Sequence, residues 1–124
     1  MRRTLFLLWL VVLWMTASFS PVLADSVLEQ GKRVADQHCS RCHVVGEANR
    51  MGGIGSTPSF ALLRRMNDWE ERYSSFFARN PHPAFVTVEG LSGTRTLPPN
   101  AAPITLTEDE VAALMAYVRS MNAE

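Results

Sequence analysis

The sequence predicts a small all-α domain, and three observations carry that prediction. Two stretches, one opening at Ser26 and one at Thr107, pair a helix-capping signature with apolar residues at helical spacing. Both cysteines of the chain fall in one pentapeptide, Cys39-Ser40-Arg41-Cys42-His43, directly after the first of these stretches. The chain has 124 residues, and the part after an N-terminal targeting segment is the length of one domain. One β-prone insertion, a small hairpin near residues 85–97, is the expected exception to the helical pattern.

The N-terminus reads as an export signal. Arg2 and Arg3 form a basic start, Leu5–Met15 is an unbroken apolar run, and Val22-Leu23-Ala24 is a small-residue cleavage site. Cleavage is expected after Ala24, so residues 1–24 form a cleaved signal peptide and residues 25–124 the folded domain. The competing reading is an uncleaved membrane anchor. The apolar run is shorter than the roughly 20 residues a bilayer span needs, and Ser20-Pro21 interrupts it. Loss of Arg2 and Arg3 leaves ten basic against twelve acidic side chains. A charge this balanced, with no basic stripe, gives no footprint for nucleic acid. Gly52-Gly53-Ile54-Gly55 lacks the Lys-Ser/Thr of a phosphate loop.

The first helix is expected from about Val27 to His38. Ser26 and Glu29 have the capping-box spacing, and Val27, Leu28, Gly31, Val34 and Ala35 share a face. Gly31 costs helix stability unless it lets another helix approach closely. The expected partner is the last helix, with Thr107 as N-cap, Glu110 as its reciprocal cap and Val111, Leu114, Met115 and Val118 as the apolar stripe. It should end near Met121.

Cys39-Ser40-Arg41-Cys42-His43 carries the chemistry. In an exported protein, Cys-x-x-Cys-His reads as attachment of a c-type haem. Each sulfur adds to one haem vinyl group, and two intervening residues let the sulfurs reach neighbouring pyrroles. The adjacent His43 then lies under the iron as its proximal axial ligand. Three other readings compete. A redox dithiol would place its first cysteine at the start of a helix, whereas this motif closes one. A zinc site would need further ligands, for which His38 or His82 would have to serve. A local disulfide needs nothing more than the two thiols.

A Gly-rich loop follows over Val44–Thr57. Thr57-Pro58 then suggests an N-cap and first-turn proline for a short helix over Ser59–Arg65, with Phe60 and Leu63 facing in. Asn67–Glu70 has a second capping pattern. Trp69, Tyr73, Phe76 and Phe77 form one aromatic face, which is core and also a wall for the haem. Asn80-Pro81 stops that helix. Phe85–Val88 and Thr94–Leu97 are the two arms of the expected hairpin, and Pro98–Pro103 is a stiff lead into the last helix.

At this point the chain resembles the small, soluble, single-haem bacterial cytochromes c. The resemblance spans most of residues 25–124. It rests on Cys39–His43 after a helix with Gly31, on Pro58 about fifteen residues later, and on the capped last helix with Ala116-Tyr117-Val118. It implies a cytochrome c-like helical fold around one covalent haem c. It also implies that the Pro58 carbonyl receives the second ring nitrogen of His43, fixing its tautomer. The family's other axial ligand is usually a methionine in a Met-Pro step before the last helix. Here that place reads Ala102-Pro103, and no methionine stands from Asn67 to Leu114. Three solutions stay open: His82, held between Pro81 and Pro83; Met51 from the Gly-rich loop; or an open sixth position.

The function that follows from the resemblance is one-electron transfer in the periplasm, without catalysis, between a donor dehydrogenase or reductase and an acceptor oxidase or second cytochrome. The alternative is a haem protein that binds or senses a gas or other ligand, or a weak peroxidase, with an open sixth position. A third is a haem-bearing subunit of a larger complex, with Phe85–Pro99 as its docking surface.

Overall fold

The computed structural model describes residues 22–93, 99 and 102–122, with side chains from residue 26 onward. Most of the expected signal peptide, residues 1–21, and the second hairpin arm, Thr94–Leu97, lie outside the described residues.

Helix α1 runs over Val22–Val34. It therefore begins before Ser26, and the expected start near Val27, with Ser26 as N-cap, is corrected. Val22-Leu23-Ala24-Asp25 contains no helix breaker, so the helical ladder continues N-terminally through Ser26. The helix closes in one widened turn, Ala35–Cys39, where the Ser40 N–H reaches back five residues to the Ala35 carbonyl at 3.1 Å. That turn delivers Cys39.

Helix α2 is short, Phe60–Arg64, and its N-cap is Ser59, whose hydroxyl accepts from the Leu62 N–H at 3.1 Å. The expected cap at Thr57 is thus displaced by two residues, which leaves Pro58 outside the helix. Helix α3 spans Trp69–Ser74. Asp68, not Asn67, occupies its N-cap position, and the Asp68 carboxylate takes the Arg72 Nε–H at 2.8 Å instead of capping the backbone. The Arg72 hydrogen bond holds the Asp68 carboxyl below its ordinary pKa. The aromatic stretch is not one continuous helix: it breaks at Ser75 and continues as a tight turn over Phe76–Ala78. The Asn80–Pro81 peptide is cis, and a second tight turn covers His82–Ala84.

Strand β1, Val86–Val88, pairs with β2, Ile104–Leu106, in parallel, with Val86 opposite Ile104 and Val88 opposite Leu106. The expected hairpin partner, Thr94–Leu97, is not the described one. A parallel pair needs a long connection, and the separation of Val88 from Ile104 in the sequence is long enough for one. Both strands turn valine or leucine into the core, so the pairing is fixed by burial.

Helix α4, Glu108–Ser120, has the expected cap. The Thr107 hydroxyl accepts from Glu110 N–H at 3.2 Å, and the Glu110 carboxylate accepts from Thr107 N–H at 2.9 Å. Helices α1 and α4 form the most extensive contact between elements. Gly31 lies at their crossing. A Cβ there would run into the Ala113 carbonyl and stand 2.8 Å from Tyr117 Cβ. Val34, Ala35, Leu114 and Val118 are buried around the crossing, and the core continues through Val45, Phe60, Tyr73, Val88 and Leu106.

Candidate haem site

One side of this core is a cavity of about 420 Å³. Cys39, Cys42 and His43 form one wall, and Phe60, Tyr73, Phe76, Phe85, Leu106 and Leu114 supply most of the apolar lining. The motif reaches the cavity because the chain turns tightly after α1. The Cys39 carbonyl receives the N–H groups of both Cys42 and His43, at 3.1 and 2.9 Å. Both thiols are free. Burial, and next the neighbouring Cys42, push the Cys39 thiol up to about 12. A redox dithiol needs the opposite, a depressed thiol. A neutral thioether, by contrast, loses nothing by burial. Among the described residues, no group of three or more His, Cys, Asp or Glu side chains could hold a metal ion, as the zinc alternative requires.

His43 is held from several sides. Its Nδ1 lies 2.7 Å from the Pro58 carbonyl oxygen. A carbonyl only accepts, so Nδ1 carries the proton and Nε2 keeps its lone pair. Pro58 is able to do this because the helix cap falls at Ser59. The loop behind the ring is clamped by Asn49: its Oδ1 accepts from Val45 N–H at 2.8 Å and Gly46 N–H at 3.2 Å, and its Nδ2 donates to the His43 carbonyl at 2.9 Å. Tyr117, from α4, donates its hydroxyl to the Val45 carbonyl at 2.9 Å. Phe60 N–H bonds the Val44 carbonyl and Ile54 N–H the Cys42 carbonyl, each at 2.9 Å. Gly53 has φ +77° and crosses directly over the Cys42–Val44 backbone, where a side chain would be both strained and crowded. No periodicity or motif announces the Asn49 clamp; an asparagine among glycines reads as a turn residue.

His82 lines the same cavity. Its ring centre is 6.1 Å from that of His43, and the two planes are 8° from parallel. Its Nδ1 lies 3.1 Å from the Arg79 carbonyl, so its Nε2 also keeps a lone pair. Burial lowers its pKa, which favours the neutral imidazole that a metal requires. Phe76 and Phe85 pack on it, with ring centres at 5.3 and 6.0 Å. Met51 is elsewhere. It is 99% exposed and does not line the cavity, because the chain reverses at Asn49–Gly52, closed by Gly52 N–H to the Asn49 carbonyl at 2.8 Å. Of the expected aromatic wall, Tyr73 and Phe76 face the cavity. Trp69 instead packs under the Arg64 guanidinium, 4.1 Å from its ring centre, and Phe77 packs against the core. Arg72 and Arg79 stand in the cavity lining as cations suited to carboxylates.

The donor set fits a covalently attached haem: two thiols and an imidazole with a free Nε2 on one wall, apolar rings and aliphatic chains around the volume, and two guanidinium groups that suit the propionates. Such a wall and pocket define a c-type haem protein. The family model described as Cytochrome c matches residues 28–122, and the chain belongs to that family. Comparison with curated proteins and with solved structures returned no match. The family binds c-type haem covalently, and its members are typically electron carriers that are commonly exported. Among the described residues no helix is long and apolar enough to cross a membrane.

Proposed function

We propose that the protein is a periplasmic one-electron carrier whose single haem is held by Cys39 and Cys42 and ligated by His43 and His82. The observation that carries this reading is the paired imidazoles. Two imidazoles bound on opposite sides of one metal, at about 2 Å per bond, place their ring centres roughly 6 Å apart. His43 and His82 are 6.1 Å apart and nearly parallel, and each presents a free Nε2 because a backbone carbonyl holds its Nδ1. Met51 has no comparable support.

The haem supplies the redox couple. The chain supplies ligands, a dry pocket and a fixed geometry, so that little reorganises when one electron arrives or leaves. Replacing the family's methionine by histidine lowers the reduction potential, because methionine raises it. The partners are a protein donor and a protein acceptor of low potential. Export through the signal peptide of residues 1–24 places the carrier where haem attachment occurs. Cleavage after Ala24 would leave Asp25 and Ser26 at the start of α1, where the Ser26–Glu29 spacing can cap the shortened helix.

The test is the absorption spectrum of periplasmically matured protein, ferric and ferrous, with and without carbon monoxide, beside His82→Ala. The expected result is a low-spin wild type without the methionine–iron charge-transfer band, and a high-spin His82→Ala that binds carbon monoxide readily. A high-spin wild type with an unchanged variant would overturn the assignment and favour a ligand-binding protein.

A further inference from the structure

We infer that Arg79 is the positioning residue of the distal side: its guanidinium, tied to Glu71 and Ser75, holds the carbonyl that orients His82 and so sets how readily His82 leaves the iron. The inference rests on the reading of His82 as second axial ligand.

His82 has no long element beneath it. Residues 79–85 form neither helix nor strand beyond one tight turn. Their own backbone bonds are local: Arg79 N–H to the Phe76 carbonyl at 2.9 Å, His82 N–H to the Arg79 carbonyl at 3.0 Å, Ala84 N–H to the Pro81 carbonyl at 3.0 Å, and Phe85 N–H to the His82 carbonyl at 2.9 Å. At its far end the segment is fixed by the Phe85 carbonyl, which receives Ile104 N–H at 2.8 Å. At its near end the side-chain tie is Arg79. Nε–H donates to Ser75 Oγ at 3.0 Å, and Nη2 donates to Glu71 Oε1 at 2.7 Å. Both partners belong to α3 or its C-cap. The carbonyl of the same residue receives both the Nδ1–H and the backbone N–H of His82, at 3.1 and 3.0 Å. Arg79 therefore joins the rigid helix to the imidazole through both its side chain and its carbonyl, beside a second backbone carbonyl, that of Phe76. The fork geometry of a guanidinium suits the task, since it engages two acceptors in fixed directions.

Release of this tie loosens the Arg79 carbonyl and lets the His82 ring turn from the iron. With haem bound, an external ligand would take the place of His82 Nε2, so that one bond to the iron would be given up and one formed. No electron is transferred and the neutral imidazole keeps its proton. At saturating carbon monoxide, the observed rate of binding to the ferrous protein reports His82 departure.

The experiment is flash or stopped-flow carbon monoxide binding to the ferrous holoprotein. Arg79→Gln and Glu71→Gln are each expected to raise the saturating rate about two- to fivefold, the range open to a part-exposed ion pair. The Glu71→Gln/Arg79→Gln double variant should be no faster than the faster single variant, because both remove one tie. Arg79→Lys, which keeps the charge and loses the fork, should fall between wild type and Arg79→Gln. Arg119→Gln breaks a different surface pair to α3, Arg119–Glu70 at 2.9 Å, and should bind at the wild-type rate. A wild-type rate in Arg79→Gln overturns the inference, as does an equal acceleration in Arg119→Gln. So does a shifted midpoint potential with unchanged carbon monoxide kinetics, which would make Arg79 a partner of a haem carboxylate alone. The two readings fail separately. A high-spin wild type sinks the His82 ligation before any variant is made, whereas a low-spin wild type with indifferent variants sinks only the role of Arg79.

Discussion

Asn49 stabilises the loop behind His43 without touching the cavity. It satisfies two backbone donors and one carbonyl in the four residues after Cys42. Asn49→Ala leaves all three to whatever water reaches them, and the expected loss of stability is about 1–3 kcal/mol. Asn49→Asp keeps the acceptor for Val45 and Gly46 and should lose less. Chemical denaturation of the holoprotein, followed by the Soret band, checks both values. The low-spin spectrum of the folded variants should stay as in wild type, because Pro58 still holds His43. An Asn49→Ala protein as stable as wild type would show that the Tyr117 and Phe60 bonds suffice to hold the loop. At this scale the sequence was legible where chemistry is encoded by short spacing. Cys39, Cys42 and His43 fall within five consecutive residues, and the Pro58 contact followed from the resemblance. Asn49 was not legible, because its bonds define a loop shape that no periodicity announces. Nor was the Tyr117–Val45 bond, whose partners are 72 residues apart.

The helix crossing carries the next prediction. Gly31→Ala would gain roughly 1 kcal/mol in helix propensity. It would also press a methyl group against the Ala113 carbonyl and Tyr117 Cβ. The first of these is backbone and yields only if α4 shifts as a body, so overpacking, about 1–3 kcal/mol, wins. Gly31→Ala should therefore unfold at lower denaturant, and Gly31→Val lower still; a stabilised Gly31→Ala would show that α1 and α4 separate freely. The glycine was readable because its cost needs a reason, and close approach is the usual one. The Thr107–Glu110 cap was readable because its reciprocal bonds span three residues. The start of α1 was not, because a capping box marks where a helix is able to begin and does not stop one that continues through it. The pairing of β1 with β2 was not legible for a related reason. Local turn signals at Gly90 and Gly93 favoured a hairpin, whereas burial of Val86, Val88 and Leu106 joins segments across a long crossover.

At the scale of the whole molecule, the haem is part of the core. Part of the described core lines the cavity: Phe60, Tyr73, Val86, Leu106 and Leu114 are buried and each has one side toward the volume. The volume, about 420 Å³, opens partly to solvent, so without haem water would face the apolar side chains that line it. A chain from which haem is withheld should not hold this fold. Its helices are also poor candidates to persist alone, since α2 and α3 have five and six residues and isolated helices shorter than about 12–15 residues are marginal. The expected outcome for protein made without haem attachment, or for Cys39→Ser/Cys42→Ser matured in the periplasm, is loss of most far-UV helical signal and an expanded hydrodynamic radius. Single Cys42→Ser should fall between, since one thioether and His43 still retain the haem. Helicity and radius equal to those of the holoprotein in the haem-free chain would mean that the α1–α4 crossing alone supports the fold, and that the cavity is a preformed receptor into which the haem is fitted afterwards.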